Sequence, residues 1–154
     1  MTKRSFRFFA VAVCAAALSV TTAAAPTVAT PKKPTITVYK DPNCGCCKNW
    51  IQHLIQHGYR VDAKDTPDMA QIKNTMGVPG ALHSCHTAVV NGYLIEGHVP
   101  AADIDRLLAS RPKVKGLAVP GMPMGSPGME GAMKQRYQVL SFDKNGKTAV
   151  FASY

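Results

Sequence analysis

Residues 35–58, TITVYKDPNCGCCKNWIQHLIQHG, carry the decision about the fold. Thr35 to Tyr39 alternates β-branched and aromatic side chains, the pattern of a half-buried strand. Asp41-Pro42-Asn43 is turn chemistry. Beyond it, Trp50, Ile51, Leu54 and Ile55 fall at i, i+1, i+4 and i+5, which gathers them on one face of a helix from about Cys46 to His57. Gly58 supplies the stop. Cys44, Cys46 and Cys47 therefore stand where a strand hands over to a helix.

Working outward, Tyr59 to Ala63 reads as a second short strand, and Met69 to Met76 as a short helix begun at Asp65-Thr66-Pro67-Asp68 and ended at Gly77. Thr87 to Val90 and Tyr93 to Glu96 flank Asn91-Gly92, the strongest short hairpin signal. Pro100 to Ser110 reads as a helix with Ile104, Leu107 and Leu108 inward. Gly116 to Gly131 is rich in Gly, Pro and Met, has no periodicity and reads as a loop. Val139 to Phe142 and Thr148 to Phe151 flank a second turn at Asp143 to Gly146. The expected class is α/β: strand, helix, strand, helix, hairpin, helix, then an added Gly/Pro/Met loop and a C-terminal hairpin. Together with a Cys-x-x-Cys at the first strand–helix junction, this order resembles the thioredoxin fold. By that correspondence Cys85 and His86 take the places of the residue before the usual cis-proline and of the proline itself. Cys85, 38 residues after Cys47, is thereby brought back beside the first three cysteines.

The N-terminal residues 1–25 read as a signal peptide: Lys3, Arg4 and Arg7, then an apolar run from Phe8 to Val20, then small residues to Ala25. That run falls short of the roughly 20 residues a spanning helix needs. The expectation is export to the periplasm, with no stable membrane anchor after cleavage and with Cys14 removed. Residues 26–34 read as a flexible Pro/Thr/Lys leader, and residues 35–154 as a single domain. Of 18 Lys+Arg the signal peptide takes three, so fifteen remain against nine acids and the mature charge is +6. The remaining cations are scattered and lack interleaved aromatics, so nucleic acid is not expected as a partner. No carboxylate pair, Ser-His-Asp set or phosphate-cradling loop supports acyl, glycosyl or phosphoryl chemistry.

Chemistry concentrates in the mature cysteines, Cys44, Cys46, Cys47 and Cys85. Three thiols within four residues crowd more sulfur together than one disulfide requires, and adjacent Cys46 and Cys47 pair only through a strained ring. Thiolates at a helix N-terminus are favoured electrostatically, and soft thiolates select Cu(I), zinc and iron–sulfur centres. Bridging thiolates can hold more than one Cu(I). Three readings stay open on spacing alone: two structural disulfides (Cys44–Cys47 with Cys46–Cys85 among the pairings), a redox dithiol, and a metal site. Zinc accepts four cysteines, but the C-x-C-C spacing departs from the paired C-x₂-C of its structural sites.

His86 should face the cluster as a ligand or neighbouring group, the alternative being a surface imidazole. His83 shares the loop. Met122, Met124, Met129 and Met133 offer thioethers that suit Cu(I), or hydrophobic filler against the sheet. His53 and His57 form an i, i+4 pair that reads as two exposed polar residues before it reads as a metal site. His98, between Gly97 and Val99, reads as a turn residue.

YKDPNCGCCKNW, GVPGALHSCHTAVV, YLIEGHVPAADI and GLAVPGMPMGSPGME resemble the CopG-type copper-resistance family, over roughly residues 35–154. The resemblance implies a thioredoxin-like domain that binds copper in the bacterial periplasm through Cys44, Cys46, Cys47 and Cys85, with other periplasmic copper-handling proteins as partners. Interconversion of Cu(I) and Cu(II) is a further activity it suggests, so whether the protein is a copper oxidoreductase is left open. The rival reading is a thiol-disulfide oxidoreductase using Cys44 and Cys47; a His in the proline position counts against its peptide groove.

Overall fold

The computed structural model describes residues 32–154. The expected signal peptide, Cys14 and most of the leader lie outside the described residues.

Among the described residues, seven strands form one mixed sheet flanked by three helices. In chain order these are β1 (Thr35–Lys40), α1 (Gly45–Gln56), β2 (Arg60–Asp65), α2 (Met69–Met76), β3 (Thr87–Val90), β4 (Tyr93–Glu96), α3 (Ala101–Ser110), β5 (Gly116–Ala118), β6 (Gln138–Phe142) and β7 (Thr148–Ser153). A 3-10 turn, Gly80–Leu82, lies between α2 and β3. The strand order across the sheet is β2-β1-β3-β4-β5-β6-β7. β1 runs parallel to β2 and antiparallel to β3, and β4 runs antiparallel to β3 and parallel to β5.

Period-two alternation divides the buried side chains between two faces. Ile95 and Leu117 join Ile36, Val38, Ala88 and Val90 in a cluster with Trp50, Ile51 and Leu54 of α1 and Ile104 and Leu107 of α3. Their neighbours Leu94 and Ala118 join Phe142, Val78 and Leu82 in a second cluster. α1 and α3 thus cover one face, and the segment around Val78 and Leu82 covers the other. Trp50 anchors the first cluster: it is fully buried and its indole N–H donates to the Val99 carbonyl at 2.9 Å.

The elements expected from sequence stand within a residue or two of their observed bounds, with one correction. Residues 116–118, expected as loop, form β5 in the middle of the sheet, with all three residues buried. Gly116 is what lets this segment approach: a Cβ there would meet the Leu94 carbonyl carbon at 2.8 Å. A three-residue strand opening on glycine carries neither length nor alternation, so the pattern that finds strands passes over it.

Strand directions also fix the site. β1, β4 and β5 run the same way, so the residues following each emerge at one end of the sheet. β3 runs against them, so it begins at that end. The cysteines after β1, Cys85-His86 before β3, the residues after β4 and the Gly/Pro loop after β5 therefore converge.

Candidate metal centre

The first turn of α1 presents three of the four cysteines. Cys44 is the N-cap, its sulfur accepting from the Cys47 N–H at 3.3 Å. Cys44 and Cys47 are joined by a disulfide, with Cα atoms 5.4 Å apart, while Cys46 and Cys85 are free and partly buried. From the disulfide the sulfurs run on as a chain: Cys44 Sγ to Cys46 Sγ is 3.4 Å, and Cys46 Sγ to Cys85 Sγ is 3.4 Å. One sulfur from each of the four cysteines lies within 4.8 Å of the others.

Cys85 continues the chain to nitrogen. Its sulfur is 3.1 Å from His98 Nε2, and His98 Nδ1 is 2.8 Å from the Pro127 carbonyl oxygen. A carbonyl only accepts, so Nδ1 bears the proton and Nε2 turns its lone pair toward Cys85. Burial, then the hydrogen bond and charge of the neighbouring Cys46, pushes the Cys85 thiol up to about 12. A metal entering there must displace that proton. Burial holds the His98 imidazole below its ordinary 6.5, so it stays a neutral donor at physiological pH.

His86 is fully buried between two rings, 4.3 Å from Trp50 and edge-on to His98 at 5.1 Å between centroids. Neither ring nitrogen has a hydrogen-bond partner among the described residues. Burial first, then His98 and the Lys73 ammonium, holds this imidazole well below 6.5. Leaving such a group unpaired costs about 1–3 kcal/mol, and a neutral imidazole with an available lone pair next to thiols is the donor set of a soft or borderline metal. Cys85, His86 and His98 each offer a ligand atom within 4.8 Å of the others. Cys85 belongs to both groups, so sulfur and imidazole donors form one continuous cluster.

The Gly/Pro loop closes over this cluster. Gly128, at φ 84°, lies so close to the first turn of α1 that a Cβ would meet the Trp50 backbone nitrogen at 2.7 Å and the Cys46 carbonyl oxygen at 2.8 Å. Glu130 accepts from the Gly128 N–H at 2.8 Å, and that bond leads the causes that hold its carboxyl below the usual range.

The five residues expected at the site, Cys44, Cys46, Cys47, Cys85 and His86, are thus brought together. His98, expected as a turn residue, proves to be the imidazole that reaches Cys85. The signal for it was topological: β4 runs parallel to β1, which sends the residues after Glu96 to the cysteine end of the sheet. His83 instead directs Nε2 to the Val78 carbonyl at 3.1 Å. His53 and His57 lie with ring centroids 4.2 Å apart and planes tilted by 44°, but His53 is partly buried and its Nε2 accepts from the Ala101 N–H at 3.1 Å, which occupies one lone pair of that pair. Met124 and Met129 are partly buried, whereas Met122 and Met133 are 54% and 76% exposed and cannot be filler against the sheet.

Comparison with known proteins bears on this cluster directly. A family model described as "Protein of unknown function, DUF411" matches residues 82–129, the segment that holds Cys85, His86, His98 and Pro127. No curated protein matches the sequence. Two solved structures, named "Copper resistance protein copG", Form 2 and Form 1, are each 48% identical to this chain. Each match covers 79% of this chain and 98% of the other, with TM-scores of 0.76 and 0.75. With that identity over most of its length, the chain belongs to the CopG copper-resistance protein family.

Proposed function

We propose that this is a periplasmic copper-binding protein of copper resistance, built on a thioredoxin-like domain. Its cargo is Cu(I), bound in one or more ions by Cys44, Cys46, Cys47 and Cys85 with His86 and His98. The observation that carries this reading is the unbroken run of donors, from the Cys44 sulfur through Cys46 and Cys85 to His98 Nε2, in steps of 3.1–3.4 Å. Thiolates and neutral imidazole are soft to borderline donors, which favours copper over hard cations; zinc shares the preference, and the copper-resistance relatives weigh against it. The strand order β2-β1-β3-β4, with the cysteine turn between β1 and α1, supports the thioredoxin-like reading.

In this reading the chain's own groups prepare the site. The α1 N-terminus favours anionic sulfur, His98 Nε2 turns its lone pair toward the Cys85 sulfur, and Pro127 fixes the imidazole tautomer. The Cys44–Cys47 disulfide withholds two sulfurs until two electrons and two protons convert it to two thiols. Copper is therefore expected to fill the site in the reduced protein. The test is anaerobic, reduced protein titrated with Cu(I) against a competing chelator. At least one copper per chain is expected, and Cys85→Ser should lose about tenfold or more in affinity. Substoichiometric binding, or an unchanged variant, would end the proposal.

The disulfide itself favours a second reading, a thiol-disulfide oxidoreductase working through Cys44 and Cys47. An insulin-reduction assay on metal-free protein separates the two: turnover that Cu(I) inhibits supports this second reading, and no turnover removes it.

A further inference from the structure

Lys73 and Glu96 form a buried ion pair beside the cluster, outside its donor set. Lys73 Nζ is 2.6 Å from Glu96 Oε1, and their side chains are only 6% and 0% exposed. The pair is part of a closed network. Lys73 donates to the Thr87 hydroxyl at 3.0 Å, and that hydroxyl donates to Glu96 Oε2 at 2.6 Å. The Ser84 backbone N–H donates to Glu96 Oε1 at 2.7 Å.

The two backbone positions tied to Glu96 bracket Cys85-His86. Thr87 and Glu96 are also the last paired residues of the β3–β4 ladder at the cysteine end. Past that rung no strand pairing holds residues 84–86. The Gly97 N–H, next to Glu96, adds a bond to the His86 carbonyl at 3.0 Å. One carboxylate thus ties down both sides of the segment that carries Cys85 and His86, and it sits two residues before His98.

Stability is a poor account of this arrangement. Replacing a buried ion pair by apolar residues is often neutral or stabilising, because both charges surrender their hydration. A fully hydrogen-bonded pair does, however, impose one geometry. We infer that Glu96, held by Lys73 and Thr87, is a positioning residue that fixes Cys85 and His86 against Cys46 and His98. Its consequence for copper rests on the function proposed above, whereas the positioning itself is readable without metal.

The test compares wild type, Glu96→Gln and the double variant Lys73→Met/Glu96→Leu. Glu96→Gln keeps oxygen and shape, and the double variant removes both charges together, leaving neither unpaired. In reduced, metal-free protein the ratio of Cys85 to Cys46 alkylation is read by peptide mass spectrometry, with folding checked by circular dichroism. The double variant is expected to fold with a shifted ratio, and Glu96→Gln to recover most of the wild-type value. Cu(I) affinity of the double variant should fall about 10–100-fold. A folded double variant with the wild-type alkylation ratio overturns the inference. If the double variant fails to fold, Thr87→Val and Thr87→Ser decide: a shifted ratio in Val alone supports positioning, and equal behaviour of the two overturns it. A wild type that binds no Cu(I), alongside a ratio that still shifts, removes the copper reading and leaves the positioning intact.

Discussion

Cys85 Sγ stands 3.1 Å from His98 Nε2, although the whole β3–β4 hairpin separates the two residues in the chain. The hairpin returns His98 to the end of the sheet at which Cys85 entered it, and the Pro127 carbonyl locks the ring with its lone pair toward sulfur. A thiol that burial keeps protonated faces the lone pair of a neutral imidazole, so the two present adjacent sulfur and nitrogen donors. A metal bound there displaces the Cys85 proton to solvent.

His98→Ala is expected to lower Cu(I) affinity about tenfold or more, by removing the imidazole donor beside Cys85. Chelator competition measures it. An affinity equal to wild type would show that the imidazole serves only the packing.

Acid should destabilise the metal-free protein. His86 and His98 are held below 6.5 by burial, His86 more strongly and also by His98 and Lys73. The unfolded chain takes up these protons near 6.5, and the folded chain refuses them until lower pH. These groups therefore leave stability unaffected above about 6.5; stability then falls as pH drops through the window between 6.5 and the depressed folded values. Urea midpoints across that range test it. His86→Phe keeps a ring on Trp50 while discarding two unpaired nitrogens, so it should raise metal-free stability by about 1–3 kcal/mol and flatten the acid limb. A destabilised variant with an unchanged acid limb contradicts this account.

Gly128→Ala tests the loop that closes the cluster. The added Cβ meets backbone atoms of Trp50 and Cys46, and the φ of 84° disfavours a side chain, so the loop must withdraw. A stability loss of about 1–3 kcal/mol is expected from the backbone conflict. Withdrawal also loosens Pro127 from His98, so Cu(I) affinity should fall with it; calorimetry and chelator competition on the same sample read both.

Oxidation state should set capacity. With Cys44 and Cys47 joined, only Cys46 and Cys85 remain as thiols among the cluster sulfurs. Protein treated with a thiol oxidant is expected to bind fewer copper ions per chain than reduced protein, and reduction should restore the difference. Equal stoichiometry in both states would mean that Cys44 and Cys47 are not ligands.

Much of this was legible in the sequence where local pattern and chemistry agree. The strand before Asp41, the helix carrying Trp50 and Leu54, and the Asn91-Gly92 hairpin each announce themselves by period or turn chemistry. The cysteines announce themselves by spacing, and the fold correspondence brought Cys85 and His86 to them. What stayed hidden depends on contacts distant in sequence. β5 is three residues long and exists because β4 and β6 pair with it on either side. His98 looks like any histidine between a glycine and a valine until the direction of β4 is known. Lys73 and Glu96 look like solvated charges on a helix and a strand end, and only the folded chain brings them together and buries them.

The most direct test of the central claim is X-ray absorption at the copper edge of reduced protein loaded with Cu(I), in the wild type and in His98→Ala. The account predicts a coordination shell dominated by sulfur, with an imidazole contribution that diminishes in the variant. A shell of oxygen and nitrogen without sulfur would contradict it.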